Sequence, residues 1–400
     1  MKSLRPALKN TFLAFVALTL AGALWLPCVH FFFEPNLRDY RSSSGLSPKA
    51  QSLAAYQLRL WSDPAGRAQE INKMRNSNAE WDFMGRTYLV LALANMGLRE
   101  PAKRADYLDI MDRIIEETIR LEKDKGLYYF LMDYARAGAF IAKPPRSLFQ
   151  DGEVGLMLAS RRMLEEREEY KPLLKERVDL MTAQMRQSPV LCGESYPDES
   201  RMFCNTVALT TLRMADVLDG TDHSEFIREW LETAKRKLTD AETGLLISSF
   251  SIDGTPADGP EGSSIWMVAH CLQTVDPAFA EDLYRRAKSE LARNFLGFGY
   301  AREWPRNWKG MMDVDSGPII PLLEISAGSS GLAILAASAF GDNDYLSALL
   351  TSLNFGGFPV QKKGQLRFCA SNQVGDAVLL YALVQGPLWR EVETRGKAQP

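Results

Sequence analysis

The densest set of reactive side chains lies in the run Cys192-Gly193-Glu194-Ser195-Tyr196-Pro197-Asp198-Glu199-Ser200-Arg201-Met202-Phe203-Cys204-Asn205-Thr206. Two cysteines stand on either side of carboxylates, and the second opens an expected helix, where the positive end of the helix dipole favours a thiolate. That pattern fits a reactive site in which a thiol works beside acid/base groups. The spacing alone favours the plainer reading, a disulfide that closes a surface loop in an oxidising compartment. Tyr196 adds a hydroxyl to the loop as a candidate substrate contact.

A second cluster is Asp313-Val314-Asp315-Ser316-Gly317-Pro318, preceded by Arg302-Glu303-Trp304-Pro305-Arg306-Asn307-Trp308. Acids and a serine before Gly-Pro suit a turn that caps the next helix. Alternatively Asp313 and Asp315 are carboxylates at a barrel mouth beside Trp304, as a sugar site needs. Trp266 is a further aromatic candidate for substrate contact. Glu153, after Asp151-Gly152 at a helix start, and Asp82 beside Trp81 are acids that taken singly read as caps or surface charges. Metal ligation has no support: of three histidines, His30 lies in an apolar run, and neither His223 nor His270 belongs to a ligand-spaced pair. His270-Cys271 reads as core or groove lining on a helix. The chain contains no P-loop, no GxGxxG after a strand and no GxSxG elbow, so nucleotide binding and serine-hydrolase chemistry are unsupported.

The elements that must position these residues are helical. Leu108, Met111, Ile115 and Ile119 share one face. Phe226, Ile227, Trp230, Leu231 and Ala234 form a comparable stripe, as do Ala377, Val378, Leu380, Tyr381 and Val384. Asp276-Pro277 marks a helix start, with Phe279, Ala280, Leu283, Tyr284, Ala287 and Leu291 following at helical steps. Weaker segments lie near 48–62, 82–98, 153–167, 171–186, 205–218, 263–274, 317–339 and 343–353. The total of about twelve helices suits an all-α (α/α)6 barrel, although an irregular bundle gives the same string. No convincing alternating strands stand between them. The polar, glycine-bearing connections are 188–202, 251–261, 304–317 and 356–365.

Thr11 to Phe33 carries no charge and is long enough to cross a bilayer as a helix. Lys2, Arg5 and Lys9 precede it, which places the N-terminus in the cytoplasm and the bulk of the chain outside. A cleaved signal peptide is the competing reading, but Trp25-Leu26-Pro27-Cys28 offers bulky residues where a peptidase needs small ones. The expected organisation is a cytoplasmic stretch (1–10), a transmembrane signal anchor (11–33), a linker (34–47), one helical domain (48–388) and a C-terminal tail (389–400). Three of the 47 Lys and Arg and none of the 50 Asp and Glu precede residue 34, leaving the remainder at a formal −6, which argues against nucleic acid. Five cysteines are too few for a disulfide-built scaffold, so a hydrophobic core must hold the fold.

The segment Cys192 to Leu209, with acids between two cysteines and then Cys-Asn-Thr-Val-Ala-Leu, resembles the cysteine-pair segment of bacterial linalool dehydratase/isomerase. Gly220-Thr221-Asp222, Arg228-Glu229-Trp230-Leu231, Leu238-Thr239-Asp240, Gly244, Asp276-Pro277-Ala278-Phe279 and the Asp313 to Gly317 turn follow in family order. The resemblance covers roughly residues 50–388 and implies an (α/α)6 barrel, an export-directed N-terminus and cofactor-free hydration, dehydration and isomerisation of an allylic monoterpene alcohol. Cys192 and Cys204 match the family's cysteine pair, across a longer intervening loop. Glu153, in Gly152-Glu153-Val154, falls where the family has a histidine. Where the family has an aspartate and a tyrosine on its first helix, this chain has Tyr56, Leu60 and Trp61 without an acid. A buried glutamate can take over proton transfer if its pKa is raised.

Three functions are therefore open. One is a membrane-anchored lyase or isomerase that acts without a cofactor on a small apolar alcohol or alkene, using Cys192, Cys204 and Glu153 as acid/base groups. It is tied to the inner membrane through residues 11–33, with its domain periplasmic, and is compatible with a homo-oligomer. Another is an envelope carbohydrate enzyme or binder using Glu153, Asp313, Asp315 and Trp304, an analogy at the level of fold. The third is a non-enzymatic envelope protein with a structural disulfide.

Overall fold

The structure is a computed structural model that describes residues 4–310, 312 and 316–398. Asp313 and Asp315 therefore lie outside the described residues. The chain opens with helix α1 (Leu4–Trp25), which tightens into a 3-10 stretch (Leu26–Phe32) where Pro27 lacks the N–H an α-helix needs. Residues 8–32 are long and apolar enough to cross a membrane, and up to Pro27 their side chains are nearly all exposed.

The helices that follow are α2 (Leu37–Tyr40), α3 (Pro48–Ser62), α4 (Pro64–Ser77), α5 (Ala79–Arg99), α6 (Arg104–Lys125), α7 (Leu148–Leu164) and α8 (Tyr170–Met185). Then come α9 (Met202–Asp219), α10 (Ser224–Lys237), α11 (Gly262–Leu272), α12 (Pro277–Leu291), α13 (Ala327–Ala339), α14 (Asn343–Gly356), α15 (Gln373–Val384) and α16 (Pro387–Ala398). Their starts are written into the sequence. Asn78 accepts from Glu80 N at 2.8 Å, Asp276 from Phe279 N at 3.0 Å and Ser326 from Ser329 N at 3.1 Å. Each satisfies a helix-start N–H that has no partner within the helix.

Six helices, α5, α7, α9, α11, α13 and α15, each pack on the next, and α15 packs back on α5, closing a ring. Helices α6, α8, α12 and α14 each return along the outside of the ring, as the antiparallel partner of the inner helix before it. This is the expected (α/α)6 barrel. All 17 residues of α7 are buried, because an inner helix faces the barrel interior on one side and the outer layer on the other. The ring's inner helices all run the same way, so their first turns gather at one end, the mouth, and their last turns at the other.

Residues 389–400, expected to form a tail, instead belong largely to α16, which closes the far end. Trp389 stacks on the His270 ring at 5.1 Å and donates to the His270 carbonyl at 3.1 Å. Leu388 N donates to Asn95 Oδ1 at 3.0 Å, and Arg395 donates to the Met163 carbonyl at 3.1 Å. Polar groups near the last turns of α5, α7 and α11 are thus satisfied by the plug. The 34–47 segment is packed rather than loose: Tyr40 is buried, its hydroxyl donates to Asn354 at 2.6 Å, and Asn354 donates to the Phe33 carbonyl at 2.9 Å. Short strands, absent from the sequence reading, form hairpins over 292–301 and 359–368 and a small sheet beside the cysteine loop. The 317–339 helical segment begins only at Ala327, because 319–326 pairs as a strand turn first.

Truncating the plug tests this closure. Trp389→Ala should lower unfolding stability by about 3–4 kcal/mol in urea titrations, the usual cost of emptying a buried tryptophan site, whereas Arg228→Ala on an exposed rim should stay within about 0.5 kcal/mol.

Candidate active site

The cysteine loop is stitched to the barrel mouth from several sides. Glu194, completely buried, accepts backbone N–H bonds from Ile141 (3.0 Å), Ala142 (2.7 Å) and Asp198 (2.7 Å). Leu148 N donates to the Glu194 carbonyl at 2.7 Å and the Ser147 hydroxyl to the Ser195 carbonyl at 2.7 Å, which ties the loop to the start of α7. Gly193 N donates to Asn205 Oδ1 at 2.9 Å, fixing it to α9. Glu194 is thus occupied as a structural acceptor.

Three adjacent inner helices each contribute one group near their starts: Glu80 from α5, Glu153 from α7 and Cys204 from α9. Glu153 is 2 % exposed and its Oε2 has no hydrogen-bond partner. Burial pushes its carboxyl up to about 8, opposed in part by the Thr87 hydroxyl and reinforced by the charge of Glu80. At neutral pH it is a buried, protonated acid. Glu80 accepts from the Tyr196 hydroxyl, which in turn receives Met132 N–H at 3.0 Å and stacks on Tyr134 at 4.7 Å.

Cys204 feels the charges of Arg201, Glu153 and Glu80, and burial is the largest influence, pushing its thiol up. The thiolate expected from the helix dipole is therefore corrected: desolvation outweighs the dipole at a 3 % exposed position. Cys192 and Cys204 are both free thiols, as are the other three cysteines. Cys192 is raised by burial too, but its side-chain neighbour is Trp230 on outer helix α10, and it shares none of the groups that surround Cys204. The structure brings Glu153, Cys204 and Tyr196 together with Glu80, and sets Cys192, equally buried, beside Trp230.

The sequence reading missed several members of this interior. Tyr88 on α5 is fully buried in the field of Glu153 and Cys271, and its hydroxyl has no partner. Burial takes the Cys271 thiol up to about 12 and the His270 imidazole down to about 3, so both are neutral. His270 Nε2 lies 2.7 Å from the Tyr381 hydroxyl, and the Tyr381 ring is 6.1 Å from that of Tyr88. Asp376, at the start of α15, accepts from Phe368 N at 3.2 Å and is raised by burial to about 7. Glu80 and Asp376 carry only the signal of an acid in a helix's first turn; Tyr88 carries none.

The remaining candidates lie elsewhere in the fold. Trp266 donates to Ser329 Oγ at 3.0 Å and lies 6.0 and 6.3 Å from the rings of Tyr284 and Tyr345, between inner and outer layers. Trp304 is 9 % exposed in the loop after the 292–301 hairpin, next to Glu303, which accepts from Ser263 N at 2.9 Å. Asp82 is ion-paired with Arg86 (2.8 Å) and Arg75 (3.2 Å).

Residues 161–374 match the linalool dehydratase/isomerase family. The chain belongs to that family. The matched stretch holds both loop cysteines and begins after Glu153, so the family match leaves Glu80, Tyr88 and Glu153 to be argued from geometry. Among solved structures, a UGL variant with dGlcA-Glc-Rha-Glc is similar at 12% identity, covering 77% of this chain and 86% of that one, with a TM-score of 0.50. A selenomethionine derivative of the GH76 α-mannanase of Bacteroides thetaiotaomicron is 11% identical over 78% of this chain and 87% of that one, with a TM-score of 0.49. At 12% identity the likeness to the UGL variant is one of fold alone, a helical toroid.

The raised carboxyl gives a pH signature. An unfolded glutamate ionises near 4.5 and the folded Glu153 near 8, so between those values the folded state holds the extra proton and stability falls as pH rises. Glu153→Gln removes that titration. Its stability relative to the parent should be near even at pH 4.5 and ahead by about 2–5 kcal/mol at pH 8, read by urea unfolding across the range. A gap that stays constant with pH would contradict the assignment.

Proposed function

We propose that this family member is a membrane-anchored, cofactor-independent lyase or isomerase that acts on a small apolar alcohol or the corresponding alkene. The supporting observation is one group: a fully buried, neutral Glu153 carboxyl with an unpartnered oxygen, set beside Cys204 and Tyr88. A neutral acid in such surroundings can protonate a hydroxyl that is not itself charged.

In the dehydration direction, Glu153 donates its proton to the hydroxyl oxygen as the carbon–oxygen bond breaks, releasing water and leaving an allylic cation. The adjacent carbon then loses a proton to the Glu153 carboxylate or to Glu80, forming the double bond. Either route returns one proton to the carboxyl pair, and hydration runs the same steps backwards. Isomerisation follows when water returns to the other end of the allyl system. Cys204 and Tyr88 hold the reacting carbon and oxygen against the acid. Cys192, turned toward Trp230, supports the loop. The asparagine that follows Cys204 keeps both in register through its bond to Gly193.

The anchor belongs to this reading. Residues 11–27 expose almost only apolar side chains, a surface that lipid covers without cost. With Lys2, Arg5 and Lys9 before the span, the domain lies outside the cytoplasm.

Full-length protein in detergent, incubated with a series of allylic alcohols and assayed for alkene and rearranged alcohol, tests the proposal. Glu153→Gln should lower turnover by about 100-fold or more and Cys204→Ala should abolish it with the fold intact, while Cys192→Ala should stay within about tenfold of the parent. Undiminished turnover in Glu153→Gln would remove the proposal.

A further inference from the structure

The largest apolar side chains left exposed on the domain gather where α1 meets it. The 292–301 hairpin seats its tip on the membrane segment: Gly297 lies so close to the His30 ring that any side chain there would collide with it. Phe298 is 6.4 Å from both His30 and Phe33 and 5.1 Å from Phe355, and Phe33 is 5.0 Å from Phe355. His30 is itself within the span, so the hairpin tip stands at the level where the span leaves the bilayer. Around it Phe295, Leu296, Phe355 and Phe358 are exposed, while Leu322, 99% exposed, lies in the turn between the paired strands 319–320 and 325–326, past the Ala301 end of the hairpin.

Three of these residues carry a second mark. Leu296, Leu322 and Phe358 adopt left-handed backbone, at φ of 51°, 69° and 48°, which bulky side chains rarely do. At Leu296 the two-residue turn between Phe295 and Phe298 requires that backbone, whereas at Leu322 and Phe358 strain kept under an exposed apolar side chain points to a contact outside the fold. Beside Leu322 and Leu323 opens a cleft of about 420 Å³ lined by Arg293, Tyr300, Arg302, Arg306 and Glu324. Arg302 is ion-paired with Glu324, and Arg293 donates to the Ala292 (2.7 Å) and Glu290 (2.8 Å) carbonyls, so the cleft keeps a net positive charge on a domain whose formal charge is negative. Apolar tips flanked by arginines are the composition of a surface that lies in the interfacial layer of a bilayer.

We infer that this face is a second membrane contact. Phe295, Leu296, Leu322, Phe355 and Phe358 enter the leaflet next to α1, and the Arg293/Arg302/Arg306 cleft takes the phosphate of an anionic phospholipid. The inference rests on reading α1 as a retained span, and it fixes an orientation that the span alone leaves free. The tip and Phe33 meet α14 at its C-terminal end, and α14 runs antiparallel to inner helix α13, so this is the end at which the inner helices begin. The barrel mouth, with Glu80, Glu153 and Cys204, is thereby turned toward the bilayer, and an apolar substrate dissolved there reaches it without crossing water.

The test uses the full chain in lipid nanodiscs, with Cys28→Ser and Cys369→Ser to leave only buried native thiols, and an environment-sensitive fluorophore placed through Leu296→Cys, Leu322→Cys or, on α16 at the far end, Glu393→Cys. Quenching by nitroxide-bearing lipid should be at least about twofold stronger at 296 and 322 than at 393. It should be stronger in discs containing phosphatidylglycerol than in phosphatidylcholine alone, and Arg306→Glu should erase that difference. Equal quenching at all three sites in discs that carry the protein would overturn the second contact. Equal quenching in both lipids, unaffected by Arg306→Glu, would overturn the phosphate site. A chain that does not co-elute with discs would instead overturn the anchor reading beneath it, a result seen by gel filtration before any fluorescence is read.

Discussion

Helices α7 and α9 approach closely because glycine faces the contact. A methyl group on Gly155 would sit 2.8 Å from the Thr211 side chain, and one on Gly152 would sit 3.6 Å from the Cys204 carbonyl. The Thr211 hydroxyl bridges the same gap, donating to the Val207 carbonyl at 3.0 Å and to the Gly152 carbonyl at 3.3 Å. This contact does two things at once. It helps close the ring of inner helices, and it places Glu153, between the two glycines, beside Cys204 and away from bulk solvent. The raised carboxyl is therefore a consequence of how tightly the ring closes.

Around that contact the molecule divides its polar groups by task. Acids with cationic partners hold the structure: Asp82 with Arg86 and Arg75, Asp151 with Arg146 and Arg177, Asp219 with Arg162. Glu194 spends its oxygens on three backbone N–H groups. Glu153 differs from all of these in having no cation and one oxygen unpartnered. A buried acid in that condition is neutral at physiological pH, and a neutral acid is what protonation of an alcohol requires.

The sequence made the outer layer easier to read than the inner one, for a physical reason. Helices α6, α10 and α12 face water on one side, so their apolar residues fall into stripes, and α12 announces its start with Asp276-Pro277. Inner helices such as α7 are buried all round and lose that periodicity, which is why they read as weak segments with starts displaced by several residues. The plug α16 was invisible as such, since its role depends on the last turns of helices far away in sequence. Cys204 and Glu153 could be picked out as candidates from the family resemblance, but their adjacency could not. Glu80 and Tyr88 join them only through the closure of the ring, and Cys192, paired with Cys204 by spacing and by the family resemblance, has Trp230 of an outer helix as its neighbour instead.

The central claim is that Glu153 is protonated at neutral pH. Infrared difference spectroscopy of the full-length protein, comparing the parent with Glu153→Gln at pH 6 to 9, reads this directly from the carbonyl stretch of a protonated carboxyl. The account predicts a protonated-carboxyl band at neutral pH that fades with a midpoint near 8 and is missing from the variant. A Glu153 already in the carboxylate form at pH 6 would contradict it.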